Sequence, residues 1–453
     1  MQGLMQQHPL LVSSIIRHAA RHHAAGEVVS QMTATERHRT NYAEVERRAC
    51  RLARVLQQLD VRSGDRVATL AWNTYRHLEL FYAISGSGAV CHTVNPRLAE
   101  VDVAYIVNHA GDSVIFADAS FVGLIERIAP AVRDGVRTVV MMTTPEEMPV
   151  IELPPGMALH CYEALMAEAD EDFAWPVFDE NAAAGLCYTS GTTGRPKGVL
   201  YSHRSTVLHT YAGNMADAFG LRAMDRVLAG APMFHAAAWA VPYTVPMAGA
   251  AMILPGRHLD PTSLVRLLNE ERVTYTSAVP TVWLGVLRHL RETGERLPHL
   301  QRVFSGGSAV PRAMIEGFAE YGVAVQHAWG MTETGPLVSA YGATPQTIGL
   351  TGEDAMRLRL KQGRPLFGTE VKIVDAEGRA LPWDGTAFGD LLVRGPWICR
   401  EYLHQGGAGA ANAEGWFATG DVATIDAAGF VELVDRSKDV IKSGGEWISS
   451  IAL

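Results

Sequence analysis

Residues 188–198 read Tyr-Thr-Ser-Gly-Thr-Thr-Gly-Arg-Pro-Lys-Gly, joining three glycines, four aliphatic hydroxyls and one lysine directly after an apolar run. That mixture suits phosphate. Gly191 and Gly194 let backbone N–H groups turn toward an anion without a Cβ in the way. Thr189, Ser190, Thr192 and Thr193 supply further donors, and the Lys197 ammonium supplies the countercharge. A P-loop needs Gly-x-x-x-x-Gly-Lys-Ser/Thr. Here Lys197 lies six residues after Gly191, behind Pro196 and before Gly198, so the spacing excludes that motif. A flexible surface loop of the same composition is the plain alternative.

Further stretches carry similar chemistry. Pro232-Met233-Phe234-His235 ends in a titratable ring beside apolar neighbours, a setting that serves a buried structural histidine as readily as an orienting one. Ser305-Gly306-Gly307-Ser308-Ala309 lies between an apolar run and a helical pattern. At the carboxyl end of a parallel strand its glycines would admit a flat base or an acyl chain, although a tight strand-to-helix turn reads the same. In His327-Ala328-Trp329-Gly330-Met331-Thr332-Glu333-Thr334, Trp329 offers a stacking face for a purine and Thr332 a donor for the α-phosphate. Glu333 is an acceptor-only oxygen ligand suited to Mg²⁺. The carboxylate-bearing stretches Trp416-Phe417-Ala418-Thr419-Gly420-Asp421 and Asp435-Arg436-Ser437-Lys438-Asp439 would each pass alone for a turn with solvated charges.

The elements that must position these groups follow from periodicity. Residues 1–65 read as helices, with apolar stripes at Leu10-Leu11-Val12, at Ile15-Ile16 and from Val45 to Leu56. From Arg66 the pattern alternates: strands at 67–72, 89–94, 114–116 and 139–142 with helices between, which implies a parallel sheet covered on both faces. Pro-rich residues 148–156 break it. A second block predicts strands at 251–254, 273–276, 302–304 and 324–327, with helices near 261–270, 281–291 and 311–320; residues 236–247 read as helix-like. Beyond Gly368 short runs at 371–374, 390–393 and 430–434 predict antiparallel strands.

Length and composition bound the rest. At 453 residues, 48% hydrophobic and 19% charged, the chain is an ordinary globular protein of about three domains. A net charge of −9 argues against a nucleic-acid partner. The five cysteines (Cys50, Cys91, Cys161, Cys187, Cys399) are widely spaced without a Cys-x-x-Cys pair, which predicts neither a disulfide framework nor a zinc site and fits a reducing compartment. No secretory leader or bilayer-length apolar run is expected, and the chain reads as cytoplasmic. Arginine dominates the basic residues. The lysines are Lys197, Lys361, Lys372, Lys438 and Lys442, and Lys197, Lys438 and Lys442 fall inside motifs.

In this order the stretches resemble, almost letter for letter at the phosphate loop, the motifs of the adenylate-forming superfamily. That superfamily comprises acyl-CoA synthetases, firefly luciferase and the adenylation domains of peptide synthetases. The resemblance spans essentially the whole chain, and within the superfamily the sequence is similar to bacterial medium-chain fatty-acid–CoA ligases and 3-(methylthio)propionate–CoA ligases. It implies an α/β large N-terminal domain over residues 1–436, with two doubly wound, mainly parallel sheets and a small antiparallel β subdomain (near 1–180, 181–366 and 367–436). A hinge would follow at 437–453. The implied reaction is ATP-dependent acid–CoA ligation with ATP, Mg²⁺ and coenzyme A, by way of an acyl-adenylate. A linear, medium-chain acid would be the substrate and a homodimer is compatible. Delivery of the adenylate to a carrier protein, or a nucleotide-binding scaffold without catalysis, are the alternatives.

By residue, the resemblance assigns Thr189, Ser190, Gly191, Thr192, Thr193, Gly194 and Lys197 to ATP phosphate. It gives His235, Gly306, Gly307, Ser308, His327, Ala328, Trp329, Gly330 and Thr332 to the nucleotide, and Asp421, Arg436 and Lys438 to ribose and hinge. Thr189, Lys197, His235, Thr332 and Glu333 would be catalytic, with Thr189 and Glu333 on the metal. His235, Ala237, Trp239, Val279, Gly306, Gly330 and Met331 would line the acyl pocket. Lys442, Gly444, Gly445 and Glu446 would face coenzyme A. The sequence departs from the family at Ala236-Ala237-Ala238, where relatives carry bulkier or polar residues, which implies a wider or deeper acyl pocket. Family members continue for roughly a hundred residues beyond the hinge, the size of a small domain. The expectation is therefore that this chain lacks that domain, binds nucleotide and turns over slowly.

Overall fold

Runs rich in Val, Ile and Ala become strands buried on both faces, as a parallel sheet between helices requires. The computed structural model describes residues 1, 3–189, 194–405, 410–436, 441–443 and 446–448. They form a mixed α/β fold with two largely parallel sheets and a small antiparallel one, divided into two units, Met1–Thr210 with Arg222–His258 and Tyr211–Leu221 with Leu259–Leu453.

The first unit contains β1 (Glu27–Gln31), β2 (Arg37–Asn41), β3 (Arg66–Leu70), β4 (Val90–Thr93), β5 (Asp112–Ala117), β6 (Thr138–Met141), β7 (Ala158–Cys161), β8 (Ala183–Tyr188), β9 (Gly198–Ser202), β10 (Arg226–Ala229) and β11 (Ala251–Leu254). Seven of these lie in the order β7-β6-β5-β3-β4-β8-β9, parallel except for the antiparallel pair β8–β9. The order reverses at β3, whose neighbours are β4 and β5, so its carboxyl end marks a switch point. Helix Tyr75–Gly86, buried at every residue, follows β3. Elsewhere in this unit Leu70, Ile106, Ile115, Ile128 and Val139 belong to one buried hydrophobic cluster.

The expectation of helices throughout 1–65 is corrected here. Helices Ser13–His22 and Tyr42–Gln58 form, but between them β1 and β2 make an antiparallel pair, and β1 also pairs in parallel with β11. Buried Val28 and Val29 carry the short β1. β2, Arg-His-Arg-Thr-Asn, has no apolar pattern of its own and is a strand because β1 supplies its hydrogen bonds. Asn41 then caps the second helix, its side chain accepting from Glu44 N at 2.9 Å.

The second unit continues with β12 (Tyr275–Ala278), β13 (Arg302–Ser305) and β14 (Ala324–Gly330), which run parallel, followed by antiparallel β15 (Leu337–Ala340) and β16 (Arg364–Pro365). Helix Pro261–Glu270 forms where its period predicted, capped by Asp260. An antiparallel sheet β17-β18-β19-β20 comprises Glu370–Val374, Phe388–Arg394, Phe417–Ile425 and Val431–Arg436. Of these the sequence reading missed β19, because Thr419-Gly420-Asp421 interrupts its apolar run. Backbone pairing defines β21 (Ile441–Ser443) and β22 (Glu446–Ile448). Among the described residues no helix is long and apolar enough to cross a membrane.

Candidate active site

In the first unit β8 delivers Tyr188 and Thr189 to the phosphate loop, and antiparallel β9 takes the chain back. The loop is pinned at its base: Thr189 N donates to Lys197 O at 3.0 Å, and Lys197 N donates to Thr189 Oγ1 at 3.1 Å. The Thr189 hydroxyl thus fixes the loop's closing peptide. Tyr188 is anchored through its hydroxyl to His109 Nδ1 at 2.7 Å.

The 232–235 segment leaves the end of β10. His235 is solvent-accessible, yet enough protein surrounds its ring that desolvation lowers its pKa from the ordinary value. The helix expected over 236–247 is corrected: a short turn, Ala236–Ala240, precedes helix Val241–Ala248. Ala236, Ala238, Trp239 and Ala240 have φ of 40°, 54°, 56° and 62°. Left-handed backbone penalises β-branched residues most, so alanine here has a backbone reason besides pocket width. Thr93, Asn95, Leu98, Tyr188, Phe234 and His235 line a cavity of about 20 Å³, room for one water.

In the second unit β14 carries Trp329 into the core of the antiparallel sheet, against Val338, Ile373, Val393 and Phe417. Its indole Nε1 donates to Asp421 Oδ2 at 3.1 Å. Asp421 on β19 and Arg436 on β20 are register partners, and Arg436 Nε stands 3.0 Å from Asp421 Oδ1. The aspartate is therefore engaged at both oxygens. Burial pushes its carboxyl pKa up, while the Arg436 charge opposes that shift. Glu333, in the turn Thr332–Thr334, accepts from Tyr402 Oη at 2.8 Å through Oε1, and its main-chain carbonyl accepts from Cys399 N at 2.7 Å. Burial, and then the Glu333 charge, push the Cys399 thiol up to about 12.

Two glycines have close backbone neighbours that require them. A Cβ at Gly306 would stand 2.5 Å from the Ala328 carbonyl oxygen, and one at Gly330 would overlap the Pro336 carbonyl oxygen. Gly307 and Ser308 are exposed after β13. His327 is buried, donates Nδ1–H to Leu360 O at 2.9 Å, and has its pKa lowered to about 4 by desolvation. Ala328 and Thr332 are buried, and Val279 and Met331 are half-buried.

Ser190, Gly191, Thr192, Thr193, Lys438, Gly444 and Gly445 lie outside the described residues, and Ala237, Lys442 and Glu446 are placed by backbone alone. Gly194 is exposed and Lys197 half-buried. Sequence reasoning missed Tyr402, the partner of Glu333, and Asn73, which holds the 229–233 backbone. A tyrosine and an asparagine without a local motif give no signal. Lys361 pairs with Asp426 at 2.8 Å, and Lys372 stands over the Trp416 ring at 4.4 Å.

Compared with known proteins, residues 16–403 match the family described as AMP-binding enzyme. The whole chain is 49% identical to 83% of a 3-methylmercaptopropionyl-CoA ligase from Ruegeria lacuscaerulensis. It is 46% identical to 82% of a medium-chain-fatty-acid–CoA ligase from Ectopseudomonas oleovorans, again over its full length. Among solved structures, the N-terminal domain of FACL13 from Mycobacterium tuberculosis superposes with a TM-score of 0.78 at 28% identity, covering 94% of this chain and 99% of that one.

Proposed function

We propose, from the premise that this chain belongs to the AMP-binding enzyme family, that it is an AMP-forming acid–CoA ligase whose acid is linear, mostly apolar and of intermediate length. Similarity over the full chain to named acid–CoA ligases carries the reading. The acid's carboxylate attacks the α-phosphorus of ATP, giving acyl-adenylate and pyrophosphate; the thiol of coenzyme A then displaces AMP. Neither step needs a protein nucleophile, so catalysis rests on positioning and charge neutralisation.

The residues take roles accordingly. Thr189 and Lys197, with Ser190, Gly191, Thr192, Thr193 and Gly194, receive phosphate. Trp329 and the 305–309 and 327–332 stretches receive the nucleotide, and Asp421 with Arg436 the ribose, since each carboxylate oxygen has a second lone pair for a hydroxyl donor. His235, whose pKa desolvation lowers from the ordinary value, orients the acid. Lys442 and Glu446 serve the coenzyme A side.

Glu333 fits Mg²⁺: Tyr402 anchors Oε1, and Oε2 is left for a hard cation. Among the described residues no group of three or more His, Cys, Asp or Glu side chains could hold a metal. One protein carboxylate plus substrate phosphates is the usual Mg²⁺ arrangement. When bound, Mg²⁺ neutralises charge on the ATP phosphates. We assign residues 1–436 to the large domain and 437–453 to a hinge, and place the enzyme in the cytoplasm, with homodimerisation open to light scattering.

Small side chains at Ala236 and Ala238 support the substrate choice, since each buried methylene contributes about 0.8 kcal/mol. Pyrophosphate and AMP release, measured with and without coenzyme A across straight-chain acids, tests the reading. Coenzyme-A-dependent AMP release with a kcat/KM maximum at intermediate length is expected. A maximum at acetate or benzoate would overturn the substrate. Pyrophosphate with retained adenylate would point to a carrier protein, and ATP binding alone to a scaffold.

A further inference from the structure

The switch point at the carboxyl end of β3 is occupied by protein rather than left open. Trp72 and Asn73 follow β3 after Ala71, and Asn73 is buried. Its carboxamide nitrogen donates to Ala229 O at 2.7 Å and to Ala231 O at 2.8 Å. Its Oδ1 accepts from Met233 N at 2.7 Å, and its main-chain carbonyl accepts from Gly256 N at 2.9 Å. Ala229, Ala231 and Met233 each turn a peptide group toward it, and one carboxamide satisfies all three. Aspartate lacks the donors and leucine lacks everything.

The turn that carries Asn73 is itself braced. His77, whose pKa burial lowers to about 3, is neutral. It donates Nδ1–H to Trp72 O at 3.2 Å and accepts at Nε2 from Thr69 Oγ1 at 3.0 Å. Trp72 meets the same segment from beside Asn73: its ring lies 6.0 Å from that of Phe234, and the Arg97 guanidinium stacks over both, at 5.7 and 5.6 Å. Phe234 and His235 line the cavity that also contains Thr189.

We propose that Asn73 is a positioning residue for the acid-binding step: it sets the main-chain path of 229–233 and thereby the placement of Phe234 and His235. This inference rests on the assignment of His235 to the acid. It concerns a residue whose side-chain bonds go to main chain and which lies in no motif of the phosphate loop or the nucleotide. A displacement of about 1 Å in a positioning element lowers rates about 10²-fold, and here the loss falls on the acid and not on ATP.

The test uses the full chain, wild type and Asn73→Asp, the isosteric change that removes both donors. Pyrophosphate release is measured with varied straight-chain acid at saturating ATP, then with varied ATP at saturating acid. The expected result is a fall in kcat/KM for the acid approaching 10²-fold, a flattened chain-length preference and a KM for ATP within about twofold of wild type. An unchanged profile overturns the proposal. So does an equal loss for both substrates that tracks a lowered Tm, which would mark Asn73 as structural only. Hydrogen exchange on the wild-type protein needs no variant. The Met233 amide should exchange as slowly as strand amides of β3, and exchange at loop rates overturns the proposal even if the variant fails to fold. A wild type without ligase activity would defeat the proposed function while leaving the exchange result to judge the positioning.

Discussion

In the first unit the candidate loops are held by uncharged groups acting on main chain: Asn73 on 229–233, and the Thr189 hydroxyl on Lys197 N. In the second unit charged side chains are held by other side chains, with Arg436 and Trp329 on Asp421 and Tyr402 on Glu333. Neutral bonds to peptide groups fix a path and are indifferent to salt and to pH near neutrality. Engaged carboxylates keep charge ready, and each must share or exchange a partner when a ligand arrives. Shape sensitivity thus belongs to the first unit, and charge sensitivity to the second.

The strongest way to break this comparison is Glu333→Gln. The amide keeps the bond from Tyr402 and loses the charge that holds Mg²⁺, so adenylation should fall by about 10²–10³ at limiting Mg²⁺ while Tm is retained. Full activity in that variant would remove Glu333 from the metal. Asp421→Asn is the next in size. Burial raises the Asp421 pKa in the fold, so its stabilising contribution is present at low pH and is lost as pH rises through that raised value. At neutral pH the ionised group opposes folding, and asparagine removes that opposition. KM for ATP should rise about tenfold, the loss of one charge-assisted hydrogen bond, with Tm at pH 7.5 unchanged or higher. The Tm difference should shrink on acidification. A drop in Tm at pH 7.5 together with unchanged KM would make Asp421 a structural ion-pair partner.

What the sequence made legible divides along the same line. Period alone placed helix Pro261–Glu270, and apolar runs placed β3, β11 and β13 close to their observed bounds. The motif stretches announced themselves by residue type. Groups that act across the chain stayed hidden: Asn73 reaches Met233 over 160 residues, and Tyr402 reaches Glu333 over 69. Neither partner carries a local pattern, because the information lies in tertiary placement. β2 was hidden for a related reason, since its strand state comes from β1 and not from its own five polar residues. The register that sets Asp421 opposite Arg436 likewise depends on a bulge at Val422/Ala423 that no periodicity predicts.

Tyr402→Phe gives the smallest effect and sharpens the comparison most. Its hydroxyl donates to Glu333 Oε1, so removing it leaves the carboxylate in place with one orienting bond fewer. A hydrogen bond to a charged group contributes about 1.5–3 kcal/mol when fully formed. Tyr402 is only half-buried, and water entering the space would replace part of that, so a loss of about fivefold in apparent Mg²⁺ affinity is expected. Because the charge survives, excess Mg²⁺ should restore the rate, whereas it should not rescue Glu333→Gln. Measuring adenylation against Mg²⁺ concentration for both variants separates orientation from charge. If Tyr402→Phe lowers the maximal rate and added Mg²⁺ has no effect, the tyrosine acts on the reacting groups rather than on the carboxylate, and the second unit does more than hold charge ready.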